Sequence, residues 1–361
     1  MNIRRFFSSI DFLTLAPVGC LLLISLVTLF SLDMESFRSQ TFFAVISVAA
    51  FFLTLNANPN VLKHYAKPIY LGSIFLFALV LILGVESRGS IRWVEFLGIR
   101  VQFSEVLKPF LALSLASYLS DLKSFSFKNF LFIFLYLFPI FLLIFLQPDL
   151  GNALIYTFVT VLALLIYGFP FKFFLGGFLL WLLSLPFVWF LLHDYQRDRL
   201  VTFINPSSDP LGTSYNAIQS VIAVGSGMLV GKGLGQGTQA GLKFLPEHHT
   251  DFIFATISED LGLIGSSIVI LAFSFLLYRI YNIFTSSDDK FAKNFSLIVF
   301  LIFFVHFFMN IGMNLGLVPV VGITLPFVSQ GGSSLLSNAI LIGLLFAIAG
   351  KGKSQKVLEI G

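Results

Sequence analysis

The chain alternates between long apolar runs and short polar segments. Each run holds about 16–24 mostly apolar residues, close to the ~20 that a helix needs to cross ~30 Å of hydrocarbon. Lipid offers the backbone no hydrogen-bond partners, so such runs cross a membrane as helices. The pattern predicts about ten spans, at residues 12–32, 41–56, 68–85, 104–120, 129–147, 151–169, 173–192, 256–278, 294–317 and 334–350.

Composition supports a membrane protein. Hydrophobic residues make up 57% of the chain and charged residues 11%, against about 25% charge in soluble domains. The net charge is +4, but the basic residues punctuate the apolar runs instead of clustering, so topology explains them better than nucleic-acid binding does. Cys20, the single cysteine, can form no internal disulfide. We expect one all-α polytopic domain over residues 1–361.

The basic residues also predict the orientation of the chain. An even helix count with both termini in the cytoplasm places more than half of the 22 Lys and Arg residues inside, as the positive-inside rule requires. The run at 12–32 follows two arginines but is long enough to span, so we interpret it as a retained helix and not a signal peptide. The residues assigned inside are Arg4, Arg5, Lys63, Lys67, Lys123, Lys128, Lys172, Arg279, Lys290, Lys293, Lys351, Lys353 and Lys356.

One connection is much longer than the others. Residues 193–255, between the seventh and eighth predicted helices, form an extracytoplasmic loop rich in Gly, Pro, Asn, Gln and His. Loops of this length are usually functional or disordered. Aromatic and aliphatic residues occur throughout, and residues 215–224 have a helix-like pattern, so we expect an ordered loop that carries function. No internal repeat is evident, which weakens an inverted-repeat transporter interpretation.

The end of this loop carries Glu247-His248-His249-Thr250-Asp251. A carboxylate at the boundary between water and lipid is partly desolvated, which raises its pKa and makes it a better base. Asp251 could instead cap the following helix, since Asp is a favoured N-cap residue. A metal site is disfavoured, because adjacent histidines diverge and the segment has no His pair at i, i+4.

A second polar group precedes and opens the fourth predicted helix. Glu105 and Lys108 are three residues apart and share a helix face. A charge at the membrane centre costs ~2.5–3.5 kcal/mol, so such residues usually pair or face a polar cavity. The two could form a structural ion pair. Alternatively Arg92, Arg100 and Lys108 could form a cationic wall for a phosphate-bearing ligand.

Three further segments have weaker signals. Gly231–Gln239 resembles a nucleotide loop only loosely, because Lys232 is not followed by Ser or Thr, and a flexible turn is the default. Ser329–Ser334, which includes Ser333, opens the last helix and could bind an anion at its backbone N–H groups or simply cap the helix. Gln147–Gly151 is first a turn with an N-cap and only second a site.

Together, and in this order, the motifs resemble the SEDS family (shape, elongation, division and sporulation proteins). The similarity extends over essentially the whole chain and is densest in the long loop. The motifs are Arg92-Trp93, Ser104-Glu105 with Lys108, Gln147–Gly151, Asn205-Pro206, Asp209-Pro210, Tyr215, Ile218-Gln219-Ser220, Gly225-Ser226-Gly227, Gly231-Lys232-Gly233, Gly237-Thr238-Gln239, Leu245-Pro246-Glu247, His249–Ala255, Asn310–Met313, and Leu325–Ser329 with Gly331–Ser334.

Within the family the chain is similar to the RodA branch, which acts in cell elongation. Pro319-Val320-Val321-Gly322 is RodA-like, whereas the division branch, FtsW, usually has lysine where Val321 stands. Phe103, Gln330 and Asp260 replace a typical proline, tyrosine and glutamate, and none of them falls in the Asp251 motif.

The resemblance implies a peptidoglycan glycosyltransferase that polymerises lipid II at the outer face of the bacterial cytoplasmic membrane. Asp251 matches the family's catalytic aspartate, and Arg100, Glu105 and Lys108 match polar residues important for function. The implied partners are a class B penicillin-binding protein, which is a transpeptidase, the elongation machinery and membrane lipid. Nucleic acid is not among them.

The chemistry is consistent with these residues. Outside the membrane there are no nucleotide sugars, so the donor must carry its own leaving group, as a polyprenyl diphosphate does. The reaction then needs a base, Asp251, and cations for the departing diphosphate, namely Arg92, Arg100 and Lys108. No organic cofactor is expected, and a divalent cation, Mg²⁺ or Mn²⁺, stays open. The remaining candidate substrate contacts are Glu105, Lys232, Glu247, His249 and Ser333.

Two other functions stay open at this stage. Polar residues within a helical bundle also fit a flippase for a lipid-linked cell-wall precursor. A non-catalytic scaffold for the transpeptidase is the third possibility.

Overall fold

The computed structural model describes residues 11–87, 90–96, 99–192, 194–205, 209–210, 212 and 214–359. Arg4, Arg5 and Pro206 lie outside the described residues. The described part is a helical bundle with one small sheet. Its helices are α1 Phe12–Leu32, α2 Met34–Leu55, α3 Pro59–His64, α4 Ala66–Leu83, α5 Phe103–Val106, α6 Lys108–Ser120, α7 Phe127–Leu146, α8 Leu150–Tyr167, α9 Phe171–Leu191, α10 Asp194–Ile204, α11 Tyr215–Ser226, α12 Thr238–Gly241, α13 Ile253–Ser286, α14 Lys290–Asn314 and α15 Gly332–Glu359.

The expected all-α membrane architecture is confirmed. Within the described ranges, nine helices are long and apolar enough to cross a membrane. The remaining predicted span, 104–120, is divided into α5 and α6 at Leu107. Because α6 has 13 residues, it extends only ~20 Å at 1.5 Å per residue. The total of ten spans therefore stays a prediction.

Among the helix starts, that of α2 differs most from its predicted span, 41–56. This helix begins at Met34, directly after α1, because Asp33 caps it. The Asp33 carboxylate accepts the N–H groups of Glu35 (3.3 Å) and Ser36 (2.8 Å). The polar residues of the first two turns concealed this start, since they interrupt the apolar run from which the span was predicted.

A small antiparallel sheet lies between α4 and α5 and was not predicted. Its strands are β1 Val85–Ser87, β2 Ser90–Phe96 and β3 Ile99–Gln102, in that order. Trp93 pairs with Gln102, and Glu95 pairs with Arg100. The sheet brings the polar segment that precedes the fourth predicted span back over the N-terminus of α5.

Helices α14 and α15 form the centre of the bundle. In the most apolar stretch of each helix, 67% and 78% of the residues are buried. Helix α9 has no buried residue and lies at the periphery. Helix α2 packs closely along α15. A Cβ on Gly332 would lie 2.4 Å from the Phe43 ring, and a Cβ on Gly343 would lie 2.1 Å from the Thr54 hydroxyl. These glycines let the two helices approach.

Helix α13 is broken at Gly262, whose φ of 64° and ψ of −158° are not helical. Residues of the long loop form hydrogen bonds with backbone groups on both sides of this break. The N–H groups of Lys232 and Gly233 donate to the carbonyls of residues 259 and 260 (3.0 and 2.9 Å). On the other side, residues 263 and 264 donate to the carbonyls of residues 228 and 229 (2.8 and 3.2 Å). Backbone groups freed by the break are thus paired within the protein, as their burial requires.

The long loop between α9 and α13 contains α10, α11 and α12. The helix-like pattern at residues 215–224 corresponds to α11, which extends to Ser226. Gly227 packs against α13 so tightly that a Cβ there would lie 1.8 Å from the carbonyl oxygen of Ser258. Helix α11 and the turn that follows it therefore pack directly against the N-terminal part of α13.

Candidate active site

Asp251 lies in the turn that leads into α13, and its backbone is held by two asparagines of α14. The Nδ2 atoms of Asn310 and Asn314 each donate to the Asp251 carbonyl at 3.0 Å. Both asparagines are fully buried. Asn314 also accepts the N–H of Ala255 (3.0 Å), so it fixes the first turn of α13. The N-cap position of α13 is Phe252, one residue after Asp251.

The Asp251 carboxylate is bordered by Gly322. This glycine has a φ of +69°, which L-residues rarely adopt, and a Cβ there would lie 3.4 Å from Oδ2 of Asp251. Any side chain at this position would narrow the space beside the carboxylate.

The two carbonyls before Asp251 are held from the loop that precedes α15. Ser329 Oγ donates to the Thr250 carbonyl (2.7 Å), and the Gln330 N–H donates to the His249 carbonyl (2.9 Å). Three consecutive carbonyls, from His249 to Asp251, are therefore anchored to elements at the centre of the bundle. This anchoring fixes the backbone of the predicted base.

Glu247 shapes the same turn. It has a φ of 54°, and its carbonyl accepts the N–H groups of Thr250 (3.1 Å) and Phe252 (3.2 Å). Its carboxylate accepts the Thr250 hydroxyl (3.1 Å). A structural role in the Asp251 turn is therefore visible for Glu247, and substrate contact by Glu247 or His249 stays a prediction.

Glu105 and Lys108 form a buried ion pair with a third member. Lys108 Nζ lies 2.8 Å from Glu105 Oε2 and 2.8 Å from Nε2 of His306 on α14. Lysine can only donate, so His306 Nε2 accepts, and Nδ1 donates to the Thr324 carbonyl (3.1 Å). Lys108 has no exposed surface. In this conformation it is the centre of an internal network and presents no surface to a ligand.

Asp149 is the centre of a second network, in the segment that the sequence treated first as a turn with an N-cap and only second as a site. It caps α8 through the N–H of Asn152 (3.3 Å), as predicted. Its Oδ2 also accepts Ser104 Oγ (2.8 Å), Gln102 Nε2 (2.9 Å) and Asn152 Nδ2 (3.0 Å). Arg92 lies 3.7 Å from Oδ1. The carboxylate thus ties the sheet, α5 and α8 together.

Of the other predicted site residues near the sheet, one binds the Asp149 network and one lies in solvent. Ser333 Oγ accepts the N–H of Gln102 (3.0 Å), which joins the start of α15 to the end of β3. Arg100 is largely exposed and pairs across the sheet with Glu95 (3.3 Å). Ser333 and Arg92 therefore lie with the Asp149 network, and Arg100 lies at the edge of the sheet.

The segment 321–324 runs between the Asp149 side and Asp251. A Cβ on Gly151, at the start of α8, would lie 2.7 Å from the Val321 carbonyl. The next residue, Gly322, borders Asp251, and the Thr324 carbonyl binds His306. The predicted base and the predicted cationic group are thus joined by one short stretch of chain.

Lys232 has its described contacts elsewhere. Its ammonium lies 2.7 Å from Oε1 of Glu259 and donates to Thr238 Oγ1 at 2.9 Å. The neighbouring Asp260 accepts the N–H groups of Gly235 (2.9 Å) and Gly237 (3.1 Å). Gly231–Gln239 forms turns up to the start of α12, as expected, and two buried carboxylates of α13 hold this segment. Substrate contact by Lys232 stays a prediction.

The donor sets do not suggest a resident metal. Across the part of the chain that the structure describes, no group of three or more His, Cys, Asp or Glu side chains is placed to bind an ion. The buried carboxylates of Glu105, Asp149 and Glu259 are occupied by internal donors. We therefore derive no step through a divalent cation.

Comparison with known families identifies the chain. A family model described as cell cycle protein, covering FtsW, RodA and SpoVE, matches residues 6–354. The chain belongs to this family. The predicted resemblance to the SEDS proteins, with RodA among them, is confirmed.

Individual relatives of the FtsW/RodA/SpoVE family cover most of the chain. Peptidoglycan glycosyltransferase MrdB of Escherichia coli K12 is 35% identical over 292 residues, which are 80% of this chain and 79% of MrdB. A probable peptidoglycan glycosyltransferase FtsW of Geobacter metallireducens is 36% identical over 326 residues, 88% of this chain and 85% of that protein.

The fold also matches solved structures, among them that of rod shape determining protein RodA of Thermus thermophilus, with a TM-score of 0.72 and 25% identity over 94% of this chain and 97% of that chain. A chain from work described as structural coordination of polymerization and crosslinking by a peptidoglycan synthase complex superposes with a TM-score of 0.83. It is 27% identical, and the match covers 95% of this chain and 98% of that chain. The bundle described above is therefore the family fold.

Proposed function

We propose that this FtsW/RodA/SpoVE family member is a peptidoglycan glycosyltransferase that polymerises lipid II during cell elongation, with Asp251 as the general base. The observation that carries the proposal is the anchoring of Asp251. Its carbonyl is held by Asn310 and Asn314, and its carboxylate borders Gly322, where a Cβ would lie 3.4 Å from Oδ2. The names of the relatives, peptidoglycan glycosyltransferases, support the reaction class.

The reaction is a single displacement. The 4-hydroxyl of the acceptor GlcNAc attacks C1 of the donor MurNAc, the bond from C1 to the diphosphate oxygen breaks, and the configuration inverts. The hydroxyl proton passes to Asp251, and the polyprenyl diphosphate leaves with the electron pair of the broken bond. Because the diphosphate leaves readily, one carboxylate suffices, unlike glycoside hydrolysis, which uses two. A general base contributes about 10²–10⁴-fold to such a rate.

The positive charge for the departing diphosphate comes from the sheet in this proposal. Arg92 and Arg100 retain exposed surface and form only weak or exposed ion pairs. Guanidinium groups bind phosphate oxygens in a bidentate manner. Lys108 instead supports the site from within, since its ammonium is fully buried between Glu105 and His306.

We place Asp251 at the outer membrane surface and both termini in the cytoplasm, following the charge distribution. Residue labelling tests this orientation. In a Cys20→Ser background, Gln236→Cys is expected to react with a membrane-impermeant maleimide in intact cells. Lys123→Cys, in the short segment between α6 and α7, is expected to react only after lysis. The reverse pattern would contradict the proposed topology.

A class B penicillin-binding protein is the proposed partner. The support is the fold match to a chain of a peptidoglycan synthase complex described as coordinating polymerization and crosslinking. Co-purification with such a transpeptidase, and a higher polymerisation rate in its presence, are the expected results. A rate that no transpeptidase changes would contradict this part of the proposal.

The deciding experiment is polymerisation of purified lipid II by the detergent-solubilised complex. Asp251→Asn is expected to lower the rate by at least about 10²-fold. Asp121→Asn is the matched control, because Asp121 pairs with Lys63 far along the chain from the Asp251 turn. Polymer formed by Asp251→Asn at the wild-type rate would contradict the base assignment. Absence of polymer from the wild-type complex would favour the flippase or the scaffold. A parallel assay with a chelator tests whether polymerisation requires a divalent cation.

A further inference from the structure

The side chain of Gln40, on α2, forms hydrogen bonds with the residues on both sides of Gln330. Its Nε2 donates to the Ser329 carbonyl (3.2 Å), and its Oε1 accepts the N–H of Gly331 (3.2 Å). The side chain is only 1% exposed, and Nε2 also lies 3.4 Å from Ser25 Oγ on α1. A carboxamide is suited to these two hydrogen bonds, because it supplies a donor and an acceptor at once.

Two residues of the segment that Gln40 binds, Ser329 and Gln330, also hold the backbone before Asp251. Ser329 donates its hydroxyl to the Thr250 carbonyl, and Gln330 donates its N–H to the His249 carbonyl. Ser329 Oγ also accepts the N–H of Leu325 (2.8 Å), which closes the turn before α15. A continuous chain of hydrogen bonds therefore runs from α2 through residues 329–331 to the turn that carries Asp251.

We propose that Gln40 is a positioning residue for Asp251, acting through Ser329 and Gln330. The inference rests on the proposed function, in which Asp251 is the general base. Its physical basis is that a base must lie within hydrogen-bond reach of the proton it removes. A displacement of about 1 Å caused far from the chemistry can lower a rate about 10²-fold.

The packing of α2 does not depend on this side chain alone. Ala44, Ser47, Phe51 and Leu55 on the same helix are also buried, and Gly332 and Gly343 seat α15 against it. Removing the carboxamide should therefore leave the bundle assembled and change mainly the placement of residues 329–331. This separates positioning from a general structural role.

The test compares Gln40→Leu and Gln40→Glu in the complex with the transpeptidase, using purified lipid II. Gln40→Leu removes both hydrogen bonds. Gln40→Glu keeps the acceptor for Gly331 but turns a second oxygen towards the Ser329 carbonyl, and it remains informative if the leucine variant fails to fold. Ser47→Ala is the matched control, because Ser47 is buried on the same helix and its hydroxyl has no partner among the described residues.

We expect both Gln40 variants to lower kcat about 10–100-fold, with KM changed by less than about threefold and with Ser47→Ala indistinguishable from wild type. A kcat within twofold of wild type, a change confined to KM, or an equal loss in Ser47→Ala would overturn the inference. Asp251→Asn is measured in parallel. If that variant is inactive while Gln40→Leu is fully active, only the positioning role fails; if Asp251→Asn is active, the proposed base fails.

Discussion

The Nζ atom of Lys108 lies 2.8 Å from Nε2 of His306, which joins the start of α6 to the middle of α14 in the buried centre of the protein. The same ammonium pairs with Glu105. Removing one member of a buried ion pair leaves the other charge uncompensated, which costs about 3–5 kcal/mol. The pairing therefore makes a specific prediction about stability.

Lys108→Met is expected to destabilise the protein by about 3–5 kcal/mol, because it leaves the Glu105 carboxylate buried without its cation. The double variant Glu105→Gln/Lys108→Met should recover part of this loss, since neither charge then remains. Thermal melting in detergent measures both. Equal melting temperatures for Lys108→Met and wild type would show that the pair does not stabilise the fold.

Asn314→Ala is expected to lower the polymerisation rate. It removes one of the two donors to the Asp251 carbonyl and the acceptor for the Ala255 N–H. A buried group left unsatisfied costs about 1–3 kcal/mol. Asn294→Ala is the control, since Asn294 is buried on the same helix and its Nδ2 lacks a partner within the described residues. Similar rates for the two variants would refute the anchoring role.

Gly322→Ala is expected to reduce kcat by at least about tenfold, a barrier increase of about 1.4 kcal/mol. The new Cβ would lie 3.4 Å from the Asp251 carboxylate in a backbone conformation with φ of +69°. An alanine in the left-handed region also costs roughly 1–2 kcal/mol. Gly176→Ala, where a Cβ would meet nothing within 4 Å, is the matched change. If both variants polymerise lipid II equally well, the space beside Asp251 is not required.

Glu259→Gln is expected to loosen the segment 231–241. Glu259 accepts the Lys232 ammonium and the N–H of Gln239, so weakening both leaves the glycine-rich segment less constrained. Hydrogen exchange of the amides of Gly235, Gly237 and Gln239 should accelerate. Glu95→Gln, which affects only the exposed pair with Arg100, should leave these amides unchanged. Unaltered exchange in Glu259→Gln would contradict the role of this carboxylate.

Asp11 and Arg279 provide a pH-dependent link at the other end of the bundle. Burial alone would raise the pKa of Asp11, but hydrogen bonds from Arg279 and Thr14 outweigh it and lower the pKa below the ordinary value. The pair therefore stabilises the folded protein above about pH 4, the ordinary range of an Asp side chain, and this contribution is lost as the pH falls further. Asp11→Asn should lower the melting temperature at pH 7 and cease to matter at low pH. A difference independent of pH would contradict this assignment.

Local patterns were enough to predict the spans and the Asp251 motif. The apolar runs located nine of the membrane helices, and the order of the loop motifs indicated the family. The start of α2 was misplaced because polar residues follow Asp33. The sheet was missed because β1 and β3 have only three and four residues and β2 carries charge among its apolar residues.

The partners of the site residues could not be read from the sequence. His306 lies 198 positions after Lys108, and Gln40 lies 289 positions before Ser329. No local spacing connects such pairs, because they meet only when separate helices pack. The contacts of the glycine-rich segment could not be predicted for the same reason, since the carboxylates that bind it, Glu259 and Asp260, come later in the chain.

The break of α13 at Gly262 has a consequence for how the protein can be assembled and re-engineered. The carbonyls of residues 259–260 and the amides of residues 263–264 find their partners in residues 228–233, which are synthesised just before them. Residues 228–233 and the N-terminal turns of this helix consequently complete each other's backbone hydrogen bonds and must order together. A chimera that takes the loop of a homologue should keep this pairing only if glycine stands at positions 231 and 262, where a Cβ would lie 2.1 Å from the Asp260 carbonyl oxygen and 2.4 Å from the Gly231 nitrogen.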